Sequence, residues 1–248
     1  MDKRIVRIRA FRAVDDFRSC RKFIEGHRKV LDNHGIDQVT SANDQWAFNP
    51  AVFVILVESL DGEKTYGGAR IHVADHKTPL PIEEAVSDMD PHIYDVVKDY
   101  ARRGGTGELC GLWNSIEVAG MGIGAFFSIV VGFAITTQVG ITSVFSLCAP
   151  PTVKFAEPIG CRIVTSLGNK GTFYYPKIDL LATVVLLEDA VNLPLTNEAV
   201  KERIMNLRKH PVNIVLDKAP PRNIEIEIHY NLVIPGTNIN EFVVLPQS

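Results

Sequence analysis

Residues 118–137, VAGMGIGAFFSIVVGFAITT, run for twenty positions without a charge, and four of them are glycine. This stretch limits the fold more than any other. Its length suits a membrane helix. Three of its glycines crowd the N-terminal third, however, where they lower helix propensity. No Lys or Arg cluster and no aromatic pair brackets the segment. A span here would also divide sheet-forming strands between the two sides of a bilayer. The expectation is therefore no membrane span, and a helix buried on most sides. Gly120, Gly122 and Ala125 also fit G-x-G-x-x-A behind a strand, the dinucleotide fingerprint. That site needs an acidic residue about twenty positions on, yet no Asp or Glu lies between Glu117 and Glu157. A third reading makes the stretch a phosphate cradle. Glycines let backbone N–H groups converge on an anion at a helix N-terminus, where the dipole favours negative charge.

The chain has 248 residues, enough for one large domain with a sizeable core. A net charge of −3 points to no nucleic-acid partner. The first thirty residues are nonetheless basic, with ten Lys or Arg against four Asp or Glu. This is a solvated helix face or a docking surface for an acidic partner. Cys20, Cys110, Cys148 and Cys161 lie far apart with no C-x-x-C, so neither a zinc site nor a disulfide framework is expected. His72 and His76 flank Asp75, but one falls on a strand and the other on a loop, and no metal is expected there. The N-terminus lacks the apolar core of a secretory signal, which makes the cytoplasm the expected location.

RIVRIRAF alternates and predicts a strand; VDDFRSCRKFIEGHRKVLDNHG has helical spacing at Phe17, Cys20, Ile24 and Leu31. AVFVILVESL and YGGARIHVA form a hairpin pattern around DGEK. A loop with one short helix, a helix from Pro91 to Gly104 and the strand GELCGLWNS follow. After the uncharged stretch come the strand ITSVFSLCA, the short helix PPTVKFAEPIG, and the strands CRIVTSL and LLATVVLLED around the loop GNKGTFYYPKID. NEAVKERIMNLRKH is a helix. NIEIEIHYNLVI alternates strictly, which predicts a strand with one wet face at an edge or in an added sheet. The fold class is α/β with a mixed sheet. Residues 1–192 make the main domain, and 193–248 an extension of helix plus strand packed on it.

Residues 107–161, GELCGLWNS through EPIGC, resemble the core of the GNAT acyltransferase superfamily: a strand, a glycine-rich phosphate motif, a helix, a strand and a short helix. Ala119 to Gly124, AGMGIG, fill the phosphate motif. The resemblance implies a central pair of splayed strands. Acetyl-CoA, a longer acyl-CoA or an acyl-carrier-protein thioester is the co-substrate it implies. The contacts would come from Leu112, Trp113 and Asn114 on the strand and from Ala119, Gly120, Met121, Gly122, Ile123, Gly124 and Ala125 at the helix. A bulge is expected near Leu112 to Ser115. Position 119 is Ala where the family usually has Arg or Gln, and Ala156 stands where many members have a Tyr acid. Layout around YGGARIHVADHKTPLPIEEAV is similar to the autoinducer-synthase and N-acyl amino acid synthase branch, which implies an amine acceptor and often an acyl carrier protein.

An amine must lose a proton before it attacks a thioester. Glu108 lies on the strand before the cradle, at the spacing where the histone-acetylating branch of the superfamily places its catalytic glutamate; the resemblance implies a base there, and burial would raise its carboxylate toward the useful range. Its alternative is a Glu at a strand start, solvated or paired with Arg102 or Arg103. Tyr174 and Tyr175 are candidates for substrate contact or for protonating the leaving thiolate. The reading is an N-acyltransferase acting by direct attack; its rival is a GNAT-shaped module that binds a thioester or metabolite without turnover. The C-terminal extension covers the acceptor site or forms a homodimer edge.

Overall fold

Val6, Ile8 and Ala10 turn inward between Arg7 and Arg9, and this period of two makes Ile5–Arg12 a strand, β1. The computed structural model describes residues 4–33, 35, 39–75, 77–118, 123, 125–219 and 224–237. Helix α1 (Phe17–Asn33) follows, with the Asp16 carboxylate accepting the Ser19 N–H at 3.0 Å as its cap. β2 (Val52–Glu58) and β3 (Thr65–Val73) are near-continuous apolar runs because both faces of the sheet are covered there. Two helices lead on, α2 (Pro81–Val86) and α3 (Ile93–Arg102), then β4 (Thr106–Asn114). α4 (Ala125–Ile135), β5 (Ser143–Cys148) and α5 (Pro150–Ala156) complete the middle of the chain. The last elements are β6 (Arg162–Ile163), β7 (Thr172–Tyr174), β8 (Leu181–Leu187), α6 (Glu198–Lys209), β9 (Val212–Ala219) and β10 (Ile224–Asn231).

The strands form one mixed sheet in the order β6-β8-β5-β4-β3-β2-β1-β10-β9, with β7 also paired to β8. β1 through β4 are antiparallel neighbours, β4 and β5 are parallel, and β10 runs parallel to β1. One face carries α1, α2 and α3, the other α4 and α6.

Three sequence expectations need correction. The strand in NIEIEIHYNLVI is neither an edge nor part of a separate sheet: β10 lies between β1 and β9. Its wet face persists, with Ile226, Ile228 and Tyr230 buried and Glu225 exposed. The edge is β9, a strand the sequence reading missed. Its apolar Val212, Ile214 and Leu216 are exposed, so alternation there carries no burial signal. The strand expected over CRIVTSL shrinks to Arg162–Ile163, and the loop GNKGTFYYPKID contains β7.

The uncharged stretch yields α4, eleven residues long. At 1.5 Å per residue it reaches about 16 Å, half a bilayer core. Among the described residues, no helix is long and apolar enough to cross a membrane. All of α4 after Ala125 is buried, between the sheet on one side and α6 on the other. Arg208 on α6 fixes this packing. Its guanidinium donates to the carbonyls of Phe133 (3.0 Å), Val191 (2.7 Å) and Ala190, and to Thr136 Oγ1 (3.1 Å). It thus satisfies the C-terminal end of α4, where the dipole favours a cation. Arg208→Ala removes the guanidinium from the Val191 and Ala190 carbonyls, while Phe133 keeps the Thr136 hydroxyl, and chemical denaturation is expected to show a loss of about 2–3 kcal/mol. A loss below about 0.5 kcal/mol would mean that water replaces the guanidinium freely.

Candidate active site

The parallel pair β4–β5 is short. It runs only through Thr106–Ser143, Gly107–Val144 and Glu108–Phe145. Beyond Glu108 the strands part. Ser146 to Cys148 keep their pairing to β8, while β4 keeps its pairing to β3. Ser146 Oγ bridges the start of the gap by donating to the Leu109 carbonyl at 2.9 Å. On β4 the register slips where Gly68 faces Trp113 and Arg70 faces Cys110, so β4 carries one extra residue. The bulge therefore lies at Gly111–Leu112, slightly before the expected position. Gly111 has φ +58°, a left-handed conformation suited to glycine.

The gap opens into a cavity of about 540 Å³ that passes through the sheet. On one face it is bordered by His27 and Leu31 of α1, Thr40, Pro81 and Tyr175. On the other it is apolar, bordered by Ile129, Phe133, Cys148, Ala156, Ile159 and Cys161. Cys148, read from sequence as core, is buried and forms part of this wall.

Glu108 stands where the strands divide, with 2% of its surface exposed. The solvated alternative does not hold: Arg103 pairs with Asp99 instead, and Glu108 Oε2 accepts the Ile82 N–H at 2.7 Å. Burial raises the Glu108 carboxyl to about 8; the Ile82 N–H and Arg70 oppose the rise, and Glu83 and Glu84 add to it. Arg70 is fully buried, its guanidinium 4.2 Å above the Trp46 ring. Burial, then Arg70, lowers His27 to about 4, so a neutral imidazole borders the cavity at neutral pH.

The two tyrosines separate. Phe173 is buried, Tyr174 is 63% exposed and does not border the cavity, and Tyr175 turns back into it. Tyr175 Oη accepts the Thr40 N–H at 2.6 Å and lies 3.0 Å from Thr40 Oγ1. Thr40 Oγ1 itself donates to the Pro81 carbonyl at 3.0 Å, so the phenol is the donor between the two hydroxyls. Burial raises the Tyr175 phenol, which keeps its proton.

The expected thioester contacts are divided as well. Leu112 borders the cavity. Trp113 instead packs edge-on against Phe23, 5.7 Å between centroids, in the core beneath α1. With its amide O and N exchanged, the orientation its neighbours favour, the Asn114 carboxamide donates to the Trp113 carbonyl at 3.1 Å and accepts the Ala125 N–H at 2.9 Å, taking one donor at the start of α4. Ile123 is buried in the core. Ala119, Gly120, Met121, Gly122 and Gly124 lie outside the described residues, as does His76. Among the described residues no group of three or more His, Cys, Asp or Glu side chains is placed to hold a metal. Sequence reasoning missed His27, Thr40, Arg70 and Cys110. Only His27 carried a signal, its i+4 spacing between Phe23 and Leu31 on α1.

The fold as a whole is similar to that of solved structures. FeeM, an N-acyl amino acid synthase from uncultured soil microbes, superposes with a TM-score of 0.56 at 14% identity, over 79% of this chain and 97% of that one. BjaI, a CoA-dependent acyl-homoserine lactone synthase solved with SAM and isopentyl-CoA, gives 0.54 at 12% identity, over 96% and 97%. The chain has the GNAT fold. No protein-family model matches the sequence, and no curated protein sequence does. In this GNAT fold the cavity lies at the splay between the two central strands, with Glu108 at its closed end.

Proposed function

We propose that this protein is an N-acyltransferase. It moves an acyl group from an acyl-coenzyme A or acyl-carrier-protein thioester to the amine of a small acceptor. The observation that carries this reading is the splay itself: a cavity through the sheet with a buried carboxylate of raised pKa at its apex. Glu108 takes a proton from the acceptor ammonium as the nitrogen attacks the thioester carbonyl. The carbon–sulfur bond then breaks and the thiolate leaves. Tyr175 holds the segment at Thr40 against Pro81 and, with its proton retained, is the candidate donor to that thiolate. The apolar end of the cavity takes the acyl chain, which favours chains longer than acetyl. A carrier-protein donor is supported by α1, whose outer face exposes Arg18, Arg21, Arg28 and Lys29 while His27 and Leu31 border the cavity.

The test is release of free thiol from a panel of acyl-CoA and acyl-carrier donors of increasing length, with mixed amines. Turnover with medium or long chains is expected. Binding of donors without thiol release from any of them would favour the non-catalytic module. Ala156→Phe fills the apolar end, and is expected to shift the preferred donor to shorter chains by a factor of about ten or more in kcat/KM, the scale of a few excluded methylenes. An unchanged chain-length profile would place the acyl group elsewhere.

A further inference from the structure

A second cavity, of about 460 Å³, lies over the end of β3, enclosed by residues 43–50 and by the segment from Asp75 to Glu84. Pro81 borders both cavities, but Glu108 and Cys110 border only the first. His72 borders the second. It is the register partner of Glu108 across β3 and β4, and only 8% exposed. Its Nε2 is buried without a hydrogen-bond partner. An unpaired buried polar atom costs about 1–3 kcal/mol, and one that borders a cavity of ligand size is a group for a ligand to satisfy.

The rest of the wall states the ligand's chemistry. Burial, then Arg70, lowers the His72 imidazole well below its usual range, so it stays neutral and can accept a hydrogen bond at one ring nitrogen. Asp75 and Glu84 border the cavity against one cation, Lys77. Asp75 is engaged by the N–H groups of Lys77 and Thr78, at 2.9 and 3.0 Å. The Glu84 carboxylate makes no hydrogen bond or ion pair among the described residues, and burial raises its pKa. Trp46 and the exposed Phe48 supply apolar and aromatic surface beside these carboxylates. We infer that this cavity binds a small primary ammonium ion with an apolar stem, its N–H donated to His72, its charge balanced by Glu84 and Asp75, and its stem against Phe48 and Trp46. The site stands apart from the thioester chemistry and does not depend on it.

Benzylamine is a suitable probe, with benzyl alcohol as its uncharged counterpart. The chain has two tryptophans. Fluorotryptophan labelling of the full chain therefore gives two resonances, assigned with Trp46→Phe. Benzylamine is expected to shift the Trp46 signal saturably and leave Trp113 in place. Benzyl alcohol is expected to bind at least about tenfold more weakly, as are Glu84→Gln and His72→Asn with benzylamine, each losing one contact worth roughly a factor of ten. Glu84 is exposed, so its variant keeps the fold. Glu108→Gln is expected to bind as wild type. The inference is overturned by a Trp46 signal that does not saturate, by equal affinity for the alcohol, or by unchanged affinity in Glu84→Gln. A loss of binding in Glu108→Gln would also overturn it, since the ammonium would then sit in the first cavity.

Discussion

Glu108→Gln is expected to lower kcat/KM by at least about tenfold, and by about 10² or more if the carboxylate is the sole base. The amide still offers an oxygen to the Ile82 N–H, so the splay keeps its shape while proton acceptance is lost. Wild-type kcat/KM should rise with pH through about 8, where the Glu108 carboxyl ionises. Below that point it falls about tenfold per unit, and the variant lacks this limb. The same group acts on stability with a fixed sign. Its pKa is raised in the folded state, so its contribution is fully present below the ordinary carboxylate range and is lost as pH rises toward about 8. Glutamine cannot ionise. The variant's melting temperature should therefore gain on wild type between pH 5 and 9 on a scale of a few degrees, about 1 kcal/mol or more. A variant with wild-type turnover removes Glu108 from the mechanism, and parallel stability curves would mean that the carboxylate is solvated.

Gly111→Ala is expected to destabilise the fold by about 2–4 kcal/mol and to abolish most turnover. Two effects add. The left-handed φ of +58° is strained for any residue with a Cβ. That Cβ would also lie 2.8 Å from Arg70 Nη2 and 2.9 Å from Nε. The guanidinium cannot yield, because it is fully buried and stacked on Trp46. Gly35 is the control, with φ +63° and nothing within 4 Å of an added Cβ. Gly35→Ala should show the backbone effect alone, about 1 kcal/mol. If both variants lose the same stability, Arg70 moves and the bulge is not clamped. The link to function is direct, since the bulge lies on the stretch of β4 that has parted from β5, where Gly111 and Leu112 border the cavity.

The sequence by itself determined the element types through most of the chain. Periodicity records which residues are buried, so β1 to β5, α1 and α6 were legible from apolar spacing. The buried helix Ala125–Ile135 within the uncharged stretch was legible because glycines and unanchored flanks argue against a bilayer. Glu108 was legible as a base candidate through the family resemblance of the strand before that helix. What periodicity does not record is the neighbour an element chooses. β9, apolar on its exposed side, became the edge only because β10 joined β1. Tyr175 rather than Tyr174 reached the cavity because β7 set the alternation, with Phe173 turned in. His27 and Thr40 border the same cavity as Glu108 from separate segments, and buried Arg70 acts on its charge, across long stretches of chain. The parting of β4 from β5 is likewise a tertiary decision. Beyond Glu108 each strand satisfies its backbone with its outer partner, β4 with β3 and β5 with β8.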